Sequence, residues 1–428
     1  MSARMLLAMH AAQLAFLLWL AFTTPFCCDA YYYMHMGQRF LEQGLLAADD
    51  FAGYRSYFVP LFFGMLQALP APKMPGQGES LPFTLSVAFT VVSFLVSRFI
   101  LRRESRARYL TFALPTLFNP FLLAHVPFPL QESVLMLLVV PILVVLLAVR
   151  GRSPQATLAL AVLAASLAFV IRSSVAWVAL PLAIFVALEA LRDAAAWRAA
   201  PRVRLAAIAL VVPLLLVAPQ SLLMQQRFGT LHPYPKSDVM VEQIFYGISM
   251  FKVTTMLHEG KWKQLRAHTP WEPLPLEKKI RLAFYFENPG PAVLLVGAHI
   301  WAGLHYDVLT TYVRFEQFRI VSPWILVCGF IVAWGLMGLW RYLREPAERS
   351  RALFVVAIFL MSCLYTAFLG VEARFGMLGF LAVSVGAAWL ASRPEGRAAM
   401  RSSLPLVAAY ALLCLLFNAM LLYASPEI

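Results

Sequence analysis

The chain has 428 residues, 61% of them hydrophobic and only 13% charged, with a formal net charge of +13. A soluble domain carries about 45–50% apolar and about 25% charged residues, so this balance excludes an ordinary soluble enzyme and indicates an all-α polytopic membrane protein. The positive charge is concentrated as arginine in short loops between apolar runs, which accounts for it without a nucleic-acid partner.

A membrane-crossing helix needs about 20 mainly apolar residues. In chain order, such runs fall at 5–28, 83–101, 109–125, 133–149, 156–171, 175–190, 204–219, 321–340, 352–370, 375–391 and 404–423, which predicts about eleven transmembrane helices. The first run exceeds the roughly 7–15 residues of a signal-peptide core and no small-x-small cleavage site follows, so it is expected to be a retained span. Arg172-Ser173-Ser174 divides 156–190 into two short spans. Alternate loops hold the arginines: 98–108, then Arg150 and Arg152, then 192–204, 341–351 and 393–401. The positive-inside rule places all of them in the cytoplasm, with the N-terminus in and the C-terminus out.

The opposite face then receives 29–82, 126–132, 172–174, 220–320 and 371–374. Two of these are too long for turns. Segment 29–82 contains a helix-like stretch at 30–46 and a second, FVPLFFGMLQAL (58–69), too short to cross and expected as an amphipathic interfacial helix. PAVLLVGAHIWAGL (291–304) is again too short, and reads as a re-entrant or interfacial helix. The organisation is therefore a transmembrane module at 1–219 with a first outer loop at 29–82, a large outer region at 220–320, and C-terminal transmembrane helices at 321–428.

Polar chemistry gathers on that outer side. Seven of the eight histidines lie there: His35, His125, His232, His258, His268, His299 and His305. None has the spacing of a metal motif, and the five cysteines, Cys27, Cys28, Cys328, Cys363 and Cys414, form no CxxC pair. No metal or other cofactor is indicated. Asp29 follows the first apolar run at once, and Tyr31, Tyr32 and Tyr33 follow it. An ionisable group at membrane depth is a functional candidate, while the tyrosines suit an interfacial aromatic belt. Asp49 and Asp50 come next, then Tyr54, Arg55 and Tyr57 ahead of Pro60-Leu61.

DAYYYMHMGQRFLEQG, followed by YRSYFVPLFF, resembles the first outer loop of GT-C glycosyltransferases, and looks closest to glycosyltransferase family 39, related to protein mannosyltransferases and aminoarabinose transferases. PFPLQESVLMLLVV (127–140), FVIRSSVAWVALPL (169–182) and VEARFGMLGF (371–380) are similar to later elements of that superfamily. The resemblance implies a GT-C fold, and transfer of a sugar from a polyprenyl-phosphate donor to an envelope glycan, glycolipid or protein on the periplasmic face of a bacterial cytoplasmic membrane. Inverting displacement needs a carboxylate to take the acceptor proton and cations to hold the departing phosphate. Asp29 is the expected base. Asp49, Asp50, Glu132, Tyr33 and Tyr57 are expected around the acceptor, and Arg374, Arg172 and Arg55 at the donor phosphate, where arginine grips two oxygens at once. Two other readings fit a many-span protein with a large outer loop: an O-antigen polymerase or ligase, and a lipid-linked sugar transporter or flippase.

Overall fold

The computed structural model describes residues 2–23, 29–46, 56–73, 79–234, 256–258, 261–263, 283–287, 289–305, 324–368 and 373–424. Within them the chain is almost wholly helical, apart from a short antiparallel pair in which Met256–His258 lies against Lys261–Lys263. It divides into two compact units, Met1–Lys236 and Ser237–Ile428. Ten helices among the described residues are long and apolar enough to cross a membrane. In the first unit they are Ala3–Thr23, Leu81–Arg103, Gln131–Ala148, Pro154–Ile171, Ser173–Arg192 and Arg202–Phe228. In the second they are Trp324–Leu343, Pro346–Ala367, Arg374–Ala391 and Pro394–Leu416.

The expected span at 109–125 is the difference. No continuous helix forms there. A short helix at Arg106–Arg108 runs into a π-helical turn, Tyr109–Ala113, and then Leu114–Leu117, which stops at Phe118. Asn119 then caps a second short piece, Pro120–Leu123, its side-chain oxygen accepting from the Phe121 N–H at 3.0 Å. The reason is local. Pro120 has no N–H to donate and disfavours helical backbone at the residue before it. Asn119 is itself a strong helix starter. The freed end is met from another helix: Gln13 Nε2 donates to the Leu117 carbonyl at 2.5 Å and to Ser93 Oγ at 3.3 Å.

Arginines organise one end of the first unit as hydrogen-bond donors as well as charges. Arg108 donates from Nε to the Ala148 carbonyl (2.6 Å) and from Nη2 to that of Leu147 (2.8 Å). Arg152 reaches the carbonyls of Val145 and Leu146, each at 2.8 Å. The last turn of a helix leaves four carbonyls without intrahelical donors and carries partial negative charge, so two guanidiniums there satisfy both needs. The Arg150 N–H donates to Glu104 Oε1 at 2.5 Å. The C-terminal ends of Leu81–Arg103 and Gln131–Ala148 thus share a level with residue 108. The chain from 106 to 130 must therefore run from this arginine-rich end to the opposite one, and does so in two helical pieces.

Helix Arg202–Phe228 extends past the residue-219 end expected for its span. Its 27 residues make a rod about 40 Å long, against about 30 Å of hydrocarbon. The surplus turns lie at the end opposite the arginines and carry the first long loop. In the second unit, Trp324–Leu343 and Arg374–Ala391 touch backbone to backbone. A Cβ on Gly338 would strike the Gly386 carbonyl, and one on Gly386 that of Gly335. Small residues permit such an approach where no hydrophobic effect drives helices together.

Candidate functional site

The expected polar residues of the first unit lie at the end opposite the arginines. Asp29 is the first residue of helix Asp29–Gln43 and is half-buried. A carboxylate in a first turn is favoured by the helix dipole. This helix presents Tyr31, His35, Gln38 and Glu42 to the outside and buries Tyr33, Met36, Gly37 and Phe40. The pattern follows from the 3.6-residue repeat.

The buried face packs on helix Phe58–Gln67 through two glycines. A Cβ on Gly37 would meet the Pro60 carbonyl and come within 2.7 Å of the Gly64 nitrogen. Tyr33 is only 1% exposed, its ring 6.2 Å from that of Phe63. Tyr31, by contrast, is 57% exposed. Of the three tyrosines, Tyr33 is therefore a packing residue and Tyr31 is the one that offers an aromatic face.

Tyr57 is also buried. Its N–H donates to Gln220 Oε1 and its hydroxyl to the Leu216 carbonyl, both at 2.9 Å. Burial pushes the phenol up to about 12. Leu223 and Met224 complete an apolar cluster with Met36, Phe40 and Tyr57, and Gln226 Nε2 donates to the Leu46 carbonyl at 2.8 Å. Tyr57 therefore fastens the loop to the protruding end of Arg202–Phe228.

Glu132 and Arg172 were separate expectations, and the structure brings them together. Glu132, in the first turn of Gln131–Ala148, is 1% exposed and ion-paired with Nη1 of Arg172. Arg172 follows the last residue of Pro154–Ile171 in extended backbone, and its Nε donates to Ser174 Oγ at 3.1 Å. The division expected at Arg172-Ser173-Ser174 is present, with a 3-10 turn at Ser173–Val178. Glu132 is buried and Arg172 half-buried, so the pairing offsets part of the cost of taking the carboxylate out of water.

In the second unit Arg374 is half-buried, with its guanidinium 5.5 Å from the Phe375 ring centre. Asp49, Asp50 and Arg55 lie outside the described residues. Two further residues shape this end: Gln220, which anchors the loop, and Asn119, which breaks a helix. Asn119-Pro120 is a visible turn signal for the latter. Gln220 gives no such signal, since its partner lies 163 residues away. Among the described residues no three His, Cys, Asp or Glu side chains converge as metal ligands. An open groove lined by Ser153, Gln155, Arg204, Ala207 and Ile208 lies at the arginine-rich end, away from these carboxylates. Searches against protein-family models, curated proteins and solved structures each return no match for this chain.

Proposed function

We propose that this chain is an inverting membrane glycosyltransferase of the GT-C kind. It would move a sugar from a polyprenyl-phosphate donor to an envelope glycan, glycolipid or protein at the periplasmic face of a bacterial cytoplasmic membrane. The observation that carries the reading is the setting of Asp29. It is a half-buried carboxylate at the start of a helix that follows the first apolar helix and is pinned to a second short helix by Gly37 and Gly64. The surrounding motifs resemble the first loop of that superfamily, and eleven crossings follow if the broken path 106–130 is counted with the ten apolar helices.

In the proposed step Asp29 accepts the proton of the acceptor hydroxyl as its oxygen attacks the anomeric carbon. The new carbon–oxygen bond forms as the bond to the phosphate oxygen breaks, with inversion. Polyprenyl phosphate leaves with both electrons, and its growing charge is met by arginine. Arg374, Arg172 and Arg55 are the proposed cations, with Arg172 held in place by Glu132. Asp49 and Asp50 are proposed at the acceptor, and Tyr33 and Tyr57 act there only by supporting the loop.

The test is incubation of purified protein with a panel of polyprenyl-phosphate sugars and envelope acceptors, with products identified by mass spectrometry. Transfer is expected, and Asp29→Asn should insert and fold normally yet lose it. Full activity in that variant would remove Asp29 as the base. Dependence on arginine and histidine within 220–320, with indifference to Asp29, would favour a ligase. A transporter is the second reading, because a broken path through the bundle is a transporter feature. Movement of labelled lipid across vesicles without any transfer would select it.

A further inference from the structure

Helix Pro289–Leu304 is not one of the ten long apolar helices. Its 16 residues span about 24 Å, short of the roughly 30 Å of hydrocarbon. Burial changes along it. Its last residues, Ala302 to Leu304, are buried together with His305, while Pro289, Gly290, Val293 and Leu294 are exposed. The buried tip is wedged among apolar spans of its own unit. A Cβ on Gly376 would strike the Gly303 carbonyl, and one on Gly303 would lie 3.0 Å from Thr366 Cγ2. Leu304 Cδ2 lies 3.4 Å from the Cβ position of Gly379, whose N–H donates to Ser362 Oγ at 3.1 Å. His305 Nδ1 meets the Trp301 carbonyl at 2.8 Å, leaving Nε2 to accept from the Tyr410 hydroxyl at 3.0 Å.

These contacts fix depth. Gly303 packs on Thr366 and Gly376, one residue before Ala367 and two after Arg374, so the tip's backbone sits within about 3 Å of those span ends, and only the Leu304 side chain reaches deeper, to Gly379 beside Ser362. The middle of the helix sits at the end itself. His299 Nδ1 donates to the Ala367 carbonyl at 3.0 Å, and the Tyr285 ring lies 5.1 Å from that of Phe368. Ala292 and Leu295 pack with Tyr285 against Phe368, so from Ala292 to Gly303 the helix runs nearly level with the end of Pro346–Ala367, its C-terminal tip docked between spans. At that level its free side shows Val293 (71% exposed) and Leu294 (77%), and the preceding short helix Ala283–Glu287 shows Phe286 (82%). Apolar side chains at the boundary of an apolar span match the depth at which interfacial helices bury a face, about 5–10 Å into the acyl region.

We infer that Pro289–Leu304 is an interfacial membrane helix docked at its tip: Gly303 and His305 lock the tip between spans, and lipid acyl chains of the leaflet opposite the arginine-rich ends cover Phe286, Val293 and Leu294. The inference is independent of the reaction proposed above. The docked tip distinguishes this helix from one held on the surface by lipid alone.

Photo-crosslinking in proteoliposomes tests it. Benzoylphenylalanine is placed singly at 286, 293 or 294 of the full chain. Leu214, exposed on helix Arg202–Phe228, serves as the lipid-facing control and Arg198 as the water-facing one. Mass spectrometry should find phospholipid acyl adducts at 293 and 294 as at 214, and none at 198. Adducts to peptide, from this chain or a second copy, would overturn the inference. So would an absence of lipid adducts at 293 and 294 while position 214 gives them. Gly303→Leu provides a second readout: it should loosen the tip and leave lipid adducts at 294 in place, whereas loss of those adducts would tie them to the tip's docking and count against a lipid-held face.

Discussion

Glu132 and Arg172, 40 residues apart, form a partly buried ion pair that ties the first turn of one apolar helix to the residue following the last turn of another. Removing one member strands the other charge away from water. Glu132→Ala or Arg172→Ala should each lower stability by about 3–5 kcal/mol, whereas the apolar double replacement Glu132→Leu/Arg172→Met should recover most of that loss. Thermal unfolding in detergent measures all three. If the double variant is as damaged as the singles, the two side chains act on stability through other partners.

The Gly37–Gly64 contact admits no side chain. Gly37→Ala puts a methyl group against the Pro60 carbonyl, so helices Asp29–Gln43 and Phe58–Gln67 must part. The expected cost is about 1–3 kcal/mol, as for other overpacked sites. Gly297→Ala is the matched control, because nothing lies within 4 Å of its Cβ position. In a helix interior that change should be neutral or stabilising by up to about 1 kcal/mol. Equal unfolding midpoints for the two variants would show that the helix pair separates without cost.

Much of this architecture was legible in the residues. Long apolar runs fixed ten spans because crossing a bilayer leaves little choice of length or backbone, and Arg172-Ser173-Ser174 marked a break that is present. The short helices at Asp29–Gln43 and Phe58–Gln67 fall at the stretches expected at 30–46 and 58–69. What escaped was pairing at long range. Nothing local in Glu132 or Arg172 says that each is the other's counter-ion. Nothing in Tyr33 or Tyr57 distinguishes a packed ring from one lining a site, since both choices look alike until the partner helix is placed. The broken path at 109–125 was hidden for the opposite reason: apolar composition there is uniform, and the two residues that decide, Asn119 and Pro120, are outvoted in any average over the window.

That break rests on two side chains of unequal reach. Asn119→Ala removes a helix cap and should cost about 1 kcal/mol. Gln13→Leu takes the donor from the Leu117 carbonyl and from Ser93 in a buried setting. Leaving a buried acceptor unsatisfied costs about 1–3 kcal/mol, so this variant should unfold at the lower temperature of the two. The reverse order would mean that the Leu117 carbonyl finds another donor once Gln13 is gone.

Tyr57 gives a pH-dependent prediction. Its phenol has an ordinary value of 10.0 and burial raises it to about 12 in the folded protein. Above pH 10 the unfolded chain releases this proton while the folded chain retains it. The unfolded state then binds fewer protons, and stability falls as pH rises from 10 towards 12. The loss is on the order of 2 kcal/mol. Tyr57→Phe gives up the hydrogen bond to Leu216, so it should be less stable than the parent by about 1 kcal/mol near neutrality. It has no proton to lose there, so the gap should close and reverse between pH 10 and 12. Unfolding midpoints of parent and variant across that range provide the check. A gap that stays constant would mean that the Tyr57 hydroxyl is already reached by water in the folded protein, and that the loop is not sealed against helix Arg202–Phe228 at this point.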